Sequence, residues 1–181
     1  TLSTAGPNDA NLSMFINIVD GVIINGISTV TAADNKAING VVHIVDAVIG
    51  LPNIVDHAVA NPNLTSLVGA LTANNNTTFT TLLSDSETDF TVFAPLNSAF
   101  DNFTNPSDNE LNTILANHVI SGAAANAASL SNTYFNTAAT NADGDNLSIY
   151  VNVDDGVKLN GTSSVAAADI VATNGIIHAV D

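Results

Sequence analysis

The feature that most limits how this chain can fold is a long phrase that it carries twice. Residues 11–46, NLSMFINIVDGVIINGISTVTAADNKAINGVVHIVD, align without a gap on residues 146–181, NLSIYVNVDDGVKLNGTSSVAAADIVATNGIIHAVD, at one constant offset (146 − 11 = 135). A period of that size is a domain-sized unit, not a solenoid repeat. In each copy apolar residues alternate with polar ones: Leu12, Met14, Ile16 and Ile18 in the first, Leu147, Ile149, Val151 and Val153 in the second. That is the period of a strand with one buried face. Asp20-Gly21 and Asn25-Gly26, answered by Asp155-Gly156 and Asn160-Gly161, supply the positive φ of tight hairpin turns. Each copy is therefore expected to be a β-meander, closed by a strand over NGVVHIVD or NGIIHAVD.

Between the copies the period turns helical. Asn53 caps a helix bearing Ile54, Val55, Ala58 and Val59, with Asp56 placed to complete a capping box. Asn61-Pro62 opens a second, whose Leu64, Leu67, Val68 and Leu71 fall on one face. Phe79, Leu82 and Leu83 predict a short third helix after the loop at residues 74–76. Ser107 with Glu110 caps a longer one, carrying Leu111, Ile114, Leu115 and Val119 and ending at Gly122. In FTVFAPLNSAF, residues 90–100, an apolar run stops at Pro95 and Asn97 caps a further helix presenting Phe100 and Phe103.

On these residues the chain resembles the fasciclin domain family. One signature of that family reads TVFAPTNDAF, close to TVFAPLNSAF here. Its second reads NGVIHVIDKVLLP, matched by NGVVHIVDAVIGLP and again by NGIIHAVD; residues 53–71, NIVDHAVANPNLTSLVGAL, are similar to the first two helices of bacterial fasciclin domains. The resemblance implies an α+β fasciclin fold, a β-sandwich wedge with several packed helices. It divides the chain into residues 1–52, the carboxy-terminal half of one module, and residues 53–181, a second module complete except for the last strand that Ala47, Val48 and Ile49 are expected to add in the first copy. The sequence reads as a mature chain or an excised piece, a window on a tandem array.

Composition narrows the partners. Two lysines, Lys36 and Lys158, stand against 17 acidic residues, a formal net charge of −15, so nucleic acid and anionic membranes are excluded as partners. Salt screens such self-repulsion, with a Debye length of about 3 Å at about 1 M, which fits an extracellular setting. There is no cysteine, hence no disulfide framework and no thiolate chemistry. No apolar run reaches the roughly 20 residues of a spanning helix.

Few residues invite chemistry. His43 and His178 are one position in two copies, and no short-range histidine pair suited to a metal exists. The NADGDN run, residues 141–146, departs from a calcium loop and reads as a polar hairpin turn. No nucleophile elbow, phosphate loop or dinucleotide fingerprint occurs, so no enzyme, cofactor or metal is expected. Read from the residues alone, His118 is a core histidine, Asp169 caps a turn and Ile170 is packed. The resemblance adds a second reading. Animal relatives use a Tyr-His pair and an Asp-Ile pair for integrin contact; here Asn117-His118 matches the first in its histidine only, and Asp169-Ile170 matches the second. His118, Asp169 and Ile170 are thus the candidate binding residues. The function implied is adhesive or structural, extracellular or at the cell surface, through other fasciclin modules or matrix and cell-surface proteins. A carbohydrate-binding module holding polysaccharide is the alternative, with only Tyr134, Tyr150 and seven phenylalanines to stack on sugars.

Overall fold

Local chemistry builds most of the elements in this computed structural model, which describes residues 2–5, 11–73, 77–101, 103–104 and 107–181. The expected loop at residues 74–76, and residues 6–10, which align with 141–145, lie outside the described residues. Strands β1 (Leu2–Ala5) and β2 (Asn11–Met14) form a hairpin. The first copy continues as β3 (Ile16–Asn17), β4 (Ile23–Ile24), β5 (Ser28–Ala37) and β6 (Gly40–Val45), an antiparallel sheet in that order. Helices α1 (Ile54–Ala60), α2 (Thr65–Leu71) and α3 (Thr78–Leu82) lead to β7 (Phe90–Pro95). After α4 (Asp108–Ala116) come β8 (Val119–Ser121), β9 (Thr133–Thr140) and the second copy: β10 (Asn146–Asn152), β11 (Lys158–Leu159), β12 (Ser163–Ala172) and β13 (Gly175–Val180).

The capping signals work as the sequence predicts. The Asn53 side chain accepts the Asp56 N–H at 2.9 Å while the Asp56 carboxylate accepts the Asn53 N–H at 2.9 Å, and Ser107 with Glu110 closes a second box. Two donors that a helix start would otherwise orphan are satisfied each time. Asn25 and Gly26 take φ of 49° and 70°, and Asn160 and Gly161 take 50° and 74°, the two positive values that a type I′ turn demands.

The seven-stranded sheet runs β8-β7-β13-β12-β11-β10-β9. Next to its edge strand β8, β7 lies parallel to β13, from Phe90 beside Gly175 to Pro95 beside Val180, and every residue of β7 is buried. A strand covered on both faces needs the unbroken apolar run that FTVFA supplies. Phe90, Val92 and Ala94 join the helices' Ile54, Leu64, Leu67, Phe79 and Leu115 in one core. Phe93 points to the other side, with Ile149, Val151, Leu159 and Val180. The result is the expected α+β architecture.

Several details differ from the sequence reading. The helix capped by Ser107 ends at Ala116, not Gly122, because the β-branched Val119 and Ile120 pair with β7 instead. Asn97 lies in a single 3-10 turn, Asn97–Phe100, and Phe103 follows it, edge-on to Phe100 at 5.7 Å. Ala47, Val48 and Ile49 add no strand after β6. The apolar face of the first copy is divided: Leu12 and Ile24 are buried while Ile18 is exposed. Cover for Leu12 comes with the docking of β2 beside β12, where the Ser13 hydroxyl accepts the Val171 N–H at 3.0 Å.

Candidate functional site

Asp169 sits where the β12–β13 ladder is irregular, with φ of 59°, a conformation that costs a residue with a Cβ about 1–3 kcal/mol unless its surroundings hold it. Two contacts hold it. Its N–H donates to His178 Nδ1 at 3.4 Å, and its Oδ1 accepts the Ala127 N–H at 2.7 Å. His178 is fully buried, stacked on Phe93 with centroids 5.5 Å apart, and its Nε2 lies 2.9 Å from the Ala125 carbonyl. A ring that accepts at Nδ1 and donates from Nε2 is the neutral Nε2–H tautomer. Asp169 and His178 thereby tie the 125–127 loop to the sheet. The next residue, Ile170, turns inward and is buried in the helical core. Of the Asp-Ile pair, only Asp169 is at the surface.

His118 lies two residues beyond the end of α4, just after its cap residue Asn117. Its Nδ1 donates to the Ile114 carbonyl at 2.7 Å, closing the last turn of the helix. Burial pushes its pKa below the ordinary value, with the Ile114 bond opposing. The ring lines two cavities. One, of ≈ 70 Å³, is enclosed by Ile54, Val68, Leu71, Val92 and Ile177. The other, of ≈ 390 Å³, opens between Phe100, Phe103, Leu111, Ile114 and Val180. Asp169 and Ile170 line neither. The three candidate residues therefore do not share one site.

All four histidines are engaged with backbone. His57 Nε2 meets the Val171 carbonyl at 3.2 Å, and burial depresses its pKa first of all, against the Val171 bond and the Asp56 charge. His43 Nδ1 accepts the Asp34 N–H at 3.2 Å. In the 141–146 turn, Asn141 Oδ1 accepts the N–H groups of both Asp143 and Asp145 at 2.9 Å, an Asx arrangement that organises a hairpin. Among the described residues, no three His, Asp or Glu side chains come together as a metal group.

One surface feature escaped the sequence reading. Tyr134 and Tyr150 are cross-strand partners on β9 and β10, with ring centroids 5.0 Å apart and Tyr134 70 % exposed. Only the pairing register makes them neighbours. The alternation in residues 133–140 is the one signal that could have suggested it.

A family model for the Fasciclin domain matches residues 62–181. The chain is similar to a fasciclin-like arabinogalactan protein of Arthroderma benhamiae, 26% identical across 96% of this chain and 44% of that protein. It is 30% identical to the transforming growth factor-beta-induced protein ig-h3 of Oryctolagus cuniculus, over 87% of this chain and 24% of the relative. The chain spans less than half the length of these relatives. Among solved structures, a FAS1 domain pair from the insect cell adhesion molecule Fasciclin I shares the fold, with a TM-score of 0.60, 23% identity, and coverage of 94% of this chain and 65% of that one.

Proposed function

The chain belongs to the fasciclin domain family, and from that premise we propose that it is a non-enzymatic extracellular module for adhesion or structure. On this reading residues 1–52 are the carboxy-terminal half of one module and residues 53–181 the greater part of the next, in a tandem array of bacterial type. Its partners are other fasciclin modules, or proteins of the matrix and cell surface. Relatives that include an insect cell adhesion molecule by description support the class. The observation that carries the reading is that the groups which could do chemistry are engaged in holding the fold: four histidines bonded to backbone, and Asp169 bonded to Ala127. Weak contacts repeated along an array gain strength because each linked module raises the effective concentration for the next.

Within this reading, exposed Asp169 and the cavity beside His118 are the contact points, and Ile170 serves by packing. Adhesion of cells to a surface coated with the chain, together with sedimentation across a concentration series, tests the proposal. Attachment that falls with Asp169→Asn, which keeps the Oδ1 acceptor but removes the charge, supports it. Neither attachment nor self-association at any concentration overturns it. A second reading, polysaccharide binding, is favoured by exposed Tyr134 set against half-buried Tyr150, since aromatic faces stack on sugar rings. Retention on insoluble polysaccharide that disappears in the Tyr134→Ala, Tyr150→Ala double variant selects it.

A further inference from the structure

Two cavities meet at a wall formed by Leu115 and His118, the outer one open to the surface and the inner one set in the helical core. We propose that the outer cavity binds a small uncharged apolar molecule that carries a hydroxyl group, a medium-chain alcohol, with the hydroxyl donating to His118 Nε2 and the hydrocarbon lying on the apolar walls. This rests on reading the cavity beside His118 as a contact point and names what enters it. The role proposed for Asp169, which lines neither cavity, stands separately.

The spacing of α4 builds one side of the site. Leu111, Ile114 and Leu115 share a helical face, with Leu111 and Leu115 buried and Ile114 37% exposed at the rim. The turn Asn97–Phe100 supplies another side, and its Phe100 meets Phe103 edge-on at 5.7 Å. Phe103 is itself 37% exposed, so an aromatic ring stands at the mouth of the cavity and not in the core. The volume, ≈ 390 Å³, falls among small-molecule sites, which hold roughly 300–1,000 Å³ and cover most of a ligand's surface. Behind the shared wall lie ≈ 70 Å³ more, several times the about 10–15 Å³ that admits one water. Leu115 can yield into that space without the overpacking cost that a filled core would impose.

The polar groups choose the ligand. A carbonyl can only accept, so the bond to Ile114 places the His118 proton on Nδ1. Burial disfavours a second proton, which leaves Nε2 as a lone-pair acceptor, and none of the described residues donates to it. The threonines on the inner lining are already engaged: the Thr72 and Thr80 hydroxyls donate to the carbonyls of Val68 and Thr77. On the outer lining Asp181 Oδ1 accepts the Ser164 N–H at 2.6 Å, and the Ser163 hydroxyl can donate or accept. A free acceptor calls for a ligand that donates, and the walls call for hydrocarbon. A carboxylate or phosphate would enter a chain of net charge −15 beside Asp181, with neither Lys36 nor Lys158 on the lining. An ammonium would give up its hydration to apolar walls and a neutral imidazole, which do not repay it. The hydroxyl group meets the acceptor without either cost.

The test titrates octan-1-ol, its isomer heptyl methyl ether, which has no donor, octanoate and octylammonium into the full 181-residue chain, followed by methyl NMR shifts. Saturable shifts at Leu111, Ile114, Leu115 and Val180 are expected from octan-1-ol within about 1 mM. The ether should bind about 3- to 10-fold more weakly, the worth of one neutral hydrogen bond. His118→Phe keeps a ring and removes the acceptor, and should bring alcohol and ether to equal affinity. Ile114→Trp changes a partly exposed rim position and should block both; if His118→Phe does not fold, this variant and the alcohol-to-ether ratio of the unaltered chain decide. Absence of saturable shifts at these residues, shifts confined to Val41, Val42 and Ile44 of β6, equal affinity for alcohol and ether in the unaltered chain, or tighter binding of octanoate or octylammonium overturns the proposal. Cell attachment that depends on Asp169 in a chain that binds no octan-1-ol overturns this inference alone and leaves the adhesive reading standing.

Discussion

Asn174 and Asn39 offer a matched pair of substitutions at one repeat position. Replacing Asn174 with Ala removes one bond of 3.0 Å from Ile54 N–H and two of 2.7 and 3.0 Å to the carbonyls of Leu83 and Asp85. A net contribution of about 1 kcal/mol for each gives about 3 kcal/mol, and leaving buried partners unsatisfied raises the loss toward about 5 kcal/mol. These bonds join α1, the α3–β7 loop and the β12–β13 turn, so the loss should appear as lowered global stability. Asn39 is exposed, and Asn39→Ala should stay within about 0.5 kcal/mol. Urea unfolding of both variants, fitted with a common slope, gives the two values. A cost below about 1 kcal/mol for Asn174→Ala, or equal costs at the two positions, would refute the view that the copies differ in cover and not in fold.

Phe93→Ala, which empties a fully buried position against His178, should cost about 3–5 kcal/mol by the same urea assay; below about 1 kcal/mol, Phe93 is misplaced as a core residue. Burial holds the pKa values of His57 and His118 below their ordinary 6.5, so the unfolded chain takes up protons first on acidification. Stability should therefore be fully present above about pH 6.5 and decline below it as the pH approaches the folded-state values. Urea midpoints between pH 7.5 and pH 5 measure this, and a midpoint that rises on acidification contradicts it. Ser13→Ala, which frees the Val171 N–H at the β2–β12 contact, should cost about 1 kcal/mol and speed exchange in residues 11–14 more than in β7; unchanged exchange there would show that β2 is held by other means.

What the sequence made legible was local. Capping boxes at Asn53 and Ser107 and the Asn-Gly turns of both copies act within a few residues, and they appear where the spacing puts them. What it hid was set by distant pairing. The helix after Ser107 stops early because Val119 and Ile120 find β7, and periodicity within residues 107–122 carries no trace of that competitor. The Tyr134–Tyr150 neighbourhood depends on strand register in the same way. Asp169 shows an intermediate case. Nothing in ADIVA marks a positive φ, yet an aspartate stands at the same place in both copies, and both adopt it. The aspartate repeated at one place in both copies was the available signal for the contact with His43 and His178.

Hydrogen exchange of the 181-residue chain at a concentration where sedimentation shows a monomer tests most directly whether two equivalent strands differ only in what lies against them. The account predicts slow exchange across 175–180, where β7 covers the edge, and exchange across 40–45 faster by about 100-fold or more. Equal protection of the two strands in the monomer would contradict it.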